Sequence, residues 1–474
     1  MQQIENQHLL WRAAFGPVMD NFSQFKEITP AQLYAQLKKN TLQKPIPFEI
    51  AQNMYDGLIK GIQDLGQKQQ LEQNQKMQMR KQSIDGIKNL NLSWLDTMVN
   101  STDQLREKMS FFWHGHFACR VINIYFQQEL LNIIRENALG HFGDLLRAVS
   151  KSPAMLSFLN NQQNKKQHPN ENFAREVMEL FTMGRGNYSE EDVKEGARAF
   201  TGWGFDMQGN FQERAYFHDN GKKTFLQHTG NFTGDDILDI ILEQPATALF
   251  ITRKIFRFFV NDQADEEIIQ SLARDFYNSH YDIQQLMDAI FESNWFYEEK
   301  NRGTKIKSPI ELIVGIRRLL PMELQTPNSQ LVFQRALGQV LFYPPNVSGW
   351  PGGNSWIDSS TLMVRLRLPQ IMAMSDSYSI QPKNDDDVMM GMEQERPPKT
   401  LQYFQANINW DPLYRNFEPI HREEIYDMLK GFLIQTPSAM NEFTIERFTN
   451  QDSKEKYLKS LMVQLMSTPE YQLC

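Results

Sequence analysis

A chain of 474 residues exceeds one ordinary hydrophobic core, so two or three domain-sized units are expected. Hydrophobic residues at 41% and charged residues at 22% are a globular balance, and with 32 Phe and 8 Trp they exclude a wholly disordered chain. A formal charge of −8 repels phosphate backbones and argues against nucleic acid as a partner; the nearest to a basic block, Arg317-Arg318, reads as the polar face of a helix.

The two cysteines, Cys119 and Cys474, cannot form a disulfide framework for a chain this long and read as free thiols in a reducing compartment. The first residues carry no basic segment and no apolar core of the roughly 7–15 residues that a secretory signal requires. No apolar run approaches the ~18 residues of a membrane helix. The chain therefore reads as soluble and cytoplasmic, with no membrane span; export or a periplasmic location is the alternative if a leader once preceded residue 1.

In chain order, residues 9–53 read as short helices broken at Gly16-Pro17 and Pro45-Ile46-Pro47. Residues 59–87, rich in Gln, Lys and Met, read as a long exposed helix or as disorder. Residues 92–117 carry Leu95, Met98, Leu105, Met109 and Phe112 at helical spacing. Further helices are expected at 122–139, 142–149 and 154–159. The next, at 171–183, has Asn170 as N-cap candidate and Gly184 as stop. Ser189-x-x-Asp192 then resembles a capping box that opens a helix over 189–200. The clearest β signal is a hairpin near 211–227, two aromatic-rich runs flanking Asp219-Asn220-Gly221. Helices resume to about 337, Tyr343 to Asp358 reads as a Pro- and Gly-shaped loop, and 359–372 as another helix. The expected fold is mainly α, a compact multi-helix array with one small β-hairpin. Residues 1–370 would form the main body, 371–400 an acidic linker or loop, and 401–474 a helical segment packing back on the body.

Four segments set ligand-capable groups among aromatics. The first is Phe111-Phe112-Trp113-His114-Gly115-His116-Phe117. Imidazoles two residues apart share a side of an extended chain but diverge by about 200° on a helix. It is either half of a metal site or a helix end whose histidines cap carbonyls or bond within the core. The second is His168-Pro169-Asn170-Glu171-Asn172-Phe173-Ala174-Arg175-Glu176. Glu171 and Arg175 share a helix face, with Asn172 and Glu176 as a neighbouring row. This is a polar site at the rim of a core, or a capped helix with surface ion pairs. The third, Tyr216-Phe217-His218-Asp219, is a substrate-contacting edge or an ordinary polar turn. The fourth runs from Pro344-Pro345-Asn346 through Gly349-Trp350-Pro351 to Trp356-Ile357-Asp358; Trp350 and Trp356 would line a pocket or simply stiffen a loop. Walker A, dinucleotide-fingerprint, His-Glu-x-x-His and Gly-x-Ser-x-Gly motifs are absent from the sequence.

The first, second and fourth of these segments, with His8-Leu9-Leu10-Trp11-Arg12, Leu105-Arg106-Glu107-Lys108-Met109, Arg135-Glu136-Asn137, Thr201-Gly202-Trp203, Gly230-Asn231-Phe232 and Lys307-Ser308-Pro309, make the chain resemble the bacterial family catalogued as "domain of unknown function 1800". The resemblance covers most of the chain to about Pro369 and carries no established activity. It implies frequent export, and frequent encoding beside a second family similar to the alkaline phosphatase–sulfatase superfamily.

Two functional readings follow. One is an enzyme holding a divalent metal (Zn, Fe or Mn). His114, His116 and His168 would be ligands, Glu171, Glu176, Arg175 and Asn170 catalytic, and Trp113, His218, Asp219, Trp350 and Trp356 substrate-binding. It requires at least three of the His and Glu side chains within about 8 Å of one another. The other is a non-catalytic binding or assembly partner of the co-encoded phosphatase/sulfatase-like protein.

Overall fold

A computed structural model describes residues 2–52, 73–374, 377–378, 402–436 and 442–474. The protein is mainly α, with four two-stranded antiparallel sheets among the described residues. No helix among them is long and apolar enough to cross a membrane. Residues 53–72, which include the first part of the Gln-rich run, and residues 375–376 and 379–401, which include most of the acidic stretch, lie outside the described residues.

The helix Gln104–His116 is buried at every position but Gly115, and polarity alone would not have shown it: Arg106, Glu107 and Lys108 are as buried as Met109 and Phe112. A helix buried on every side must pair its charges, because an isolated ion in a low-dielectric interior costs several kcal/mol. Arg135 on the helix Ile124–Asn137 closes on Glu107 at 2.6 Å. Glu311, in the first turn of the helix Pro309–Leu319, pairs with Lys108. The N-terminal helix Gln2–Ala13 lies alongside, buried from Asn6 onward. Its Trp11 carbonyl accepts a second bond from Lys108 at 3.2 Å.

One apolar cluster runs from Leu9 to Cys474. Residues after 401 take part in it: Phe432, on the helix Ile425–Leu433, packs against Phe22 and Phe25. The strand Ala406–Ile408 pairs with Met322–Leu324.

Local signals behave as hydrogen bonding dictates. Ser189 and Asp192 form the reciprocal capping box, and Gly184 ends its helix at φ +76°. Two expectations are corrected. The helix expected over 171–183 is α only for Asn172–Glu176 and becomes a π-helix over Val177–Thr182, with Met183 N–H reaching back to the Met178 carbonyl. The single hairpin around Asn220-Gly221 is replaced by two others. Phe211–Glu213 pairs back with Trp203–Phe205, and Lys223–Phe225 pairs forward with His228–Gly230 across Leu226 and Gln227, both at positive φ. Asp219 is the cause: its carboxylate caps the Gly221 N–H at 2.8 Å and is anchored by Arg198 at 2.8 Å. That ties the Asn-Gly segment to the helix Glu190–Ala199 instead of leaving it at a strand reversal.

Removing one member of a buried pair strands the other. Lys108→Met should cost about 3–5 kcal/mol in urea or guanidinium unfolding, and adding Glu311→Gln, which retains a side-chain acceptor for the Ser308 N–H, should restore part of it. Equal stability of Lys108→Met and wild type would contradict the role given to this pair.

Candidate functional site

The Trp-His-Gly-His segment closes the helix Gln104–His116, and its two imidazoles leave on different sides. His114 turns toward Trp94, Phe342 and Trp350, with ring centroids 5.1, 5.0 and 5.6 Å away. Its Nε2 accepts the Phe342 N–H at 3.2 Å. Burial pulls its pKa down to about 3, so it is a neutral acceptor. Phe342 holds φ +68°, a conformation that a non-glycine residue keeps only when its surroundings enforce it. Gly349, at φ +80°, passes so close that a Cβ there would lie 2.4 Å from the Gly115 carbonyl oxygen. The first and fourth segments therefore meet, but as a packed cap. Trp356 is buried and Trp350 only half-exposed. Trp113 is fully buried, its indole N–H donating to the Ala138 carbonyl at 3.0 Å, so it cannot contact a substrate.

His116 points toward the π-helix. The last carbonyls of a helix lack intrahelical donors. Here the Phe181 carbonyl accepts from His116 Nε2 at 3.1 Å, and the Leu180 carbonyl accepts from Lys254 Nζ at 3.2 Å. Lys254 Nζ also donates to His116 Nδ1 at 3.1 Å, which fixes the imidazole as the neutral Nε2–H tautomer. Burial, and then the Lys254 charge, hold the His116 pKa well below its ordinary value; burial lowers Lys254 to about 8. Lys254 was not foreseen. It stands in an aromatic-rich helix, Pro245–Phe259, and the only sequence signal is a lone lysine in that setting.

The His-Pro-Asn-Glu-Asn segment behaves differently. It borders an open concavity of about 640 Å³ lined by Gln163, His168, Pro169, Asn170, Glu171, Asn172 and Arg175. Beneath it Asn164, fully buried, ties the loop together. Its Oδ1 accepts the Asn170 N–H at 2.9 Å, and its Nδ2 donates to Asn161 Oδ1 at 3.1 Å and to the Ala197 carbonyl at 2.8 Å. Asn170 Oδ1 then accepts the Asn172 N–H at 3.0 Å in a turn that leads into the helix, whose N-cap is Glu171 and not the expected Asn170. Asn161 and Asn164 were also not foreseen, since nothing in an Asn-Gln-Gln-Asn run distinguishes a buried amide from a solvated one. Arg175 forks onto Glu190 at 2.7 and 2.8 Å and reaches Glu171 at 3.2 Å. His168 is exposed, and its imidazole makes no hydrogen bond among the described residues.

Glu176 is half-buried without a hydrogen bond or ion pair among the described residues. Burial raises its pKa, and the neighbouring Glu179 adds to the rise. Glu179 itself is held by Arg185 at 2.5 Å and by the Tyr188 hydroxyl at 2.9 Å.

The third segment lies against the second: Lys166 N–H donates to the Phe217 carbonyl at 2.9 Å. His218 is turned inward, with Nδ1–H donating to the Thr201 carbonyl at 2.9 Å, and Asp219 is engaged by Arg198. The expected three-histidine site is not formed. His114 and His116 diverge into separate contacts, His168 faces solvent, and no group of three or more His, Cys, Asp or Glu among the described residues is arranged to hold a metal ion.

Residues 8–473 match the family model described as protein of unknown function (DUF1800). The chain belongs to this family. No curated protein and no solved structure matches it. The DUF1800 match extends to residue 473, beyond the Pro369 limit of the motif resemblance.

The buried imidazoles set a pH dependence. His8, His114 and His116 all have pKa values lowered from the ordinary 6.5. Above that value both folded and unfolded chains are neutral at these positions and their contribution to stability is complete. Below it the unfolded chain takes up protons that the folded chain refuses, so stability falls by about 1.4 kcal/mol per pH unit for each imidazole. Urea unfolding between pH 7 and 5 should show this loss, and His114→Gln should flatten the slope by one imidazole's share. An unchanged slope would contradict the burial of a neutral His114.

Proposed function

We propose that this DUF1800 chain is a binding or assembly protein and that its recognition surface is the concavity bordered by His168 to Arg175. The observation that carries the reading is the contrast between its polar motifs. The imidazoles of the Trp-His-Gly-His segment are occupied inside the fold by the Phe342 N–H, the Phe181 carbonyl and Lys254. The His-Pro-Asn-Glu-Asn segment presents polar groups outward while Asn164 fixes its backbone from beneath. A polar surface pre-organised in this way loses little conformational freedom on binding, which favours recognition.

The catalytic reading has one observation in its favour, the half-buried and unpaired Glu176 with its raised pKa, which is the character of a general acid or base. Its other expected members are already engaged: Arg175 by Glu190 and Glu171, Asn170 by the backbone of Asn172. Binding is therefore the leading reading, and the co-encoded phosphatase/sulfatase-like protein is the partner the family resemblance points to.

Co-expression with that partner, one protein tagged, tests this. A complex should be recovered with the wild-type chain. Gln163→Ala combined with His168→Ala should weaken it about 10-fold while leaving the melting temperature unchanged. No complex, or a complex indifferent to these substitutions, would contradict the assignment.

A further inference from the structure

The chain is acidic overall and its sequence holds no basic block, yet the fold assembles one. The turn closed by the Lys165–His168 bridge lies against residues 214–217, joined through the Lys166 N–H and the Phe217 carbonyl at 2.9 Å. Lys165 Nζ stands 4.7 Å from the centre of the Phe217 ring, and Arg214 lies 5.5 Å from the same ring. Lys166 Nζ stands 5.2 Å from the Tyr216 ring. Tyr216 is 76% exposed, so its ring face is open to a ligand. The guanidinium of Arg214 donates only to backbone carbonyls, those of Gly202, Gln162 and Trp203. None of Lys165, Lys166 and Arg214 makes an ion pair among the described residues, and the adjacent carboxylate in sequence, Glu213, pairs with none of them. The ridge ends at His168, on the rim of the concavity.

We propose that this ridge binds an acidic peptide segment of a partner protein, its carboxylates on Lys165, Lys166 and Arg214 and its backbone over Tyr216 toward the concavity. The proposal rests on the binding reading above and names the chemistry of the partner. Cations held over aromatic faces stay extended and need little reordering to meet a carboxylate. The net charge of −8 opposes a dense polyanion such as nucleic acid, whereas a short carboxylate run meets only the local field, screened beyond about 8 Å at physiological salt. The side-chain amide of Gln163 at the concavity makes no hydrogen bond among the described residues and is suited to a peptide backbone.

The test is fluorescence anisotropy of the full chain with a fluorescein-labelled oligo-glutamate peptide, beside an oligothymidylate of equal charge. The expected result is peptide binding that weakens with added salt and falls about 10-fold or more in Lys165→Glu combined with Lys166→Glu. Tyr216→Ala should weaken it independently, and both variants should melt as wild type does. Absence of peptide binding, or equal binding by the charge-reversed variant, would overturn the proposal. Tighter binding of the oligothymidylate would overturn it in favour of a nucleic-acid surface. If the phosphatase/sulfatase-like partner is captured through Gln163 and His168 but the peptide is not bound, the ligand class alone fails; if the peptide binds and that partner is not captured, the partner identity fails and the ridge stands.

Discussion

Two consecutive charges inside one helix organise this protein. Glu107 and Lys108 point about 100° apart on the helix Gln104–His116, and each must find its counter-charge on a different neighbour. Glu107 takes Arg135 and the indole N–H of Trp94 at 2.9 Å; Lys108 takes Glu311 and the Trp11 carbonyl. Other cations join from the same region. Lys307 lies between the rings of Trp11 and Tyr471 at 3.6 and 3.7 Å, where burial lowers its pKa to about 7. Arg365 donates to the Lys307 carbonyl at 2.9 Å, and Arg12 to the carbonyls of Asn301 and Cys474 at 3.0 and 2.8 Å. Several of the motifs that carry the family resemblance thus serve to join helices. Charged residues in such motifs read as chemistry only until their partners are seen.

With that helix held in place, its end has one position. His114 and His116 are delivered to opposite sides, one under the Pro- and Gly-rich loop, the other onto the carbonyls that end the π-helix. The same helical segment begins at the concavity with Asn170 and Asn172 and ends at His116 and Lys254. The two polar motifs are connected through its length, and only the first end is open to a ligand. This separation is why a shared metal site is not formed and why the outward-facing end carries the functional reading.

What was legible in the sequence was what short-range hydrogen bonding decides. The Ser189 box and the Gly184 stop each depend on groups a few residues apart, so their residue types announce them, whereas the N-cap falls on Glu171 and not on the expected Asn170. The location of the concavity was legible too, because a His-Pro-Asn lead-in before an apolar row sets polar groups at the edge of a core. What was illegible depends on distant partners. The Asn-Gly hairpin failed because Arg198 holds Asp219 from another helix. The π-helix ends on Lys254, 74 positions along the chain from Leu180. The basic ridge joins residues from two separate segments, each unremarkable alone. The divergence of His114 from His116 follows from the helix running on through Gly115, which sets residues two apart about 200° apart.

The central claim is that the open end of this helical segment is the working surface and the imidazole end is structural. Hydrogen–deuterium exchange of the chain with and without the phosphatase/sulfatase-like protein addresses it directly. The account predicts new protection over residues 163–176 and 214–218, with the segment 111–117 equally protected in both states. Protection confined to other surfaces, or a change centred on 111–117, would contradict it.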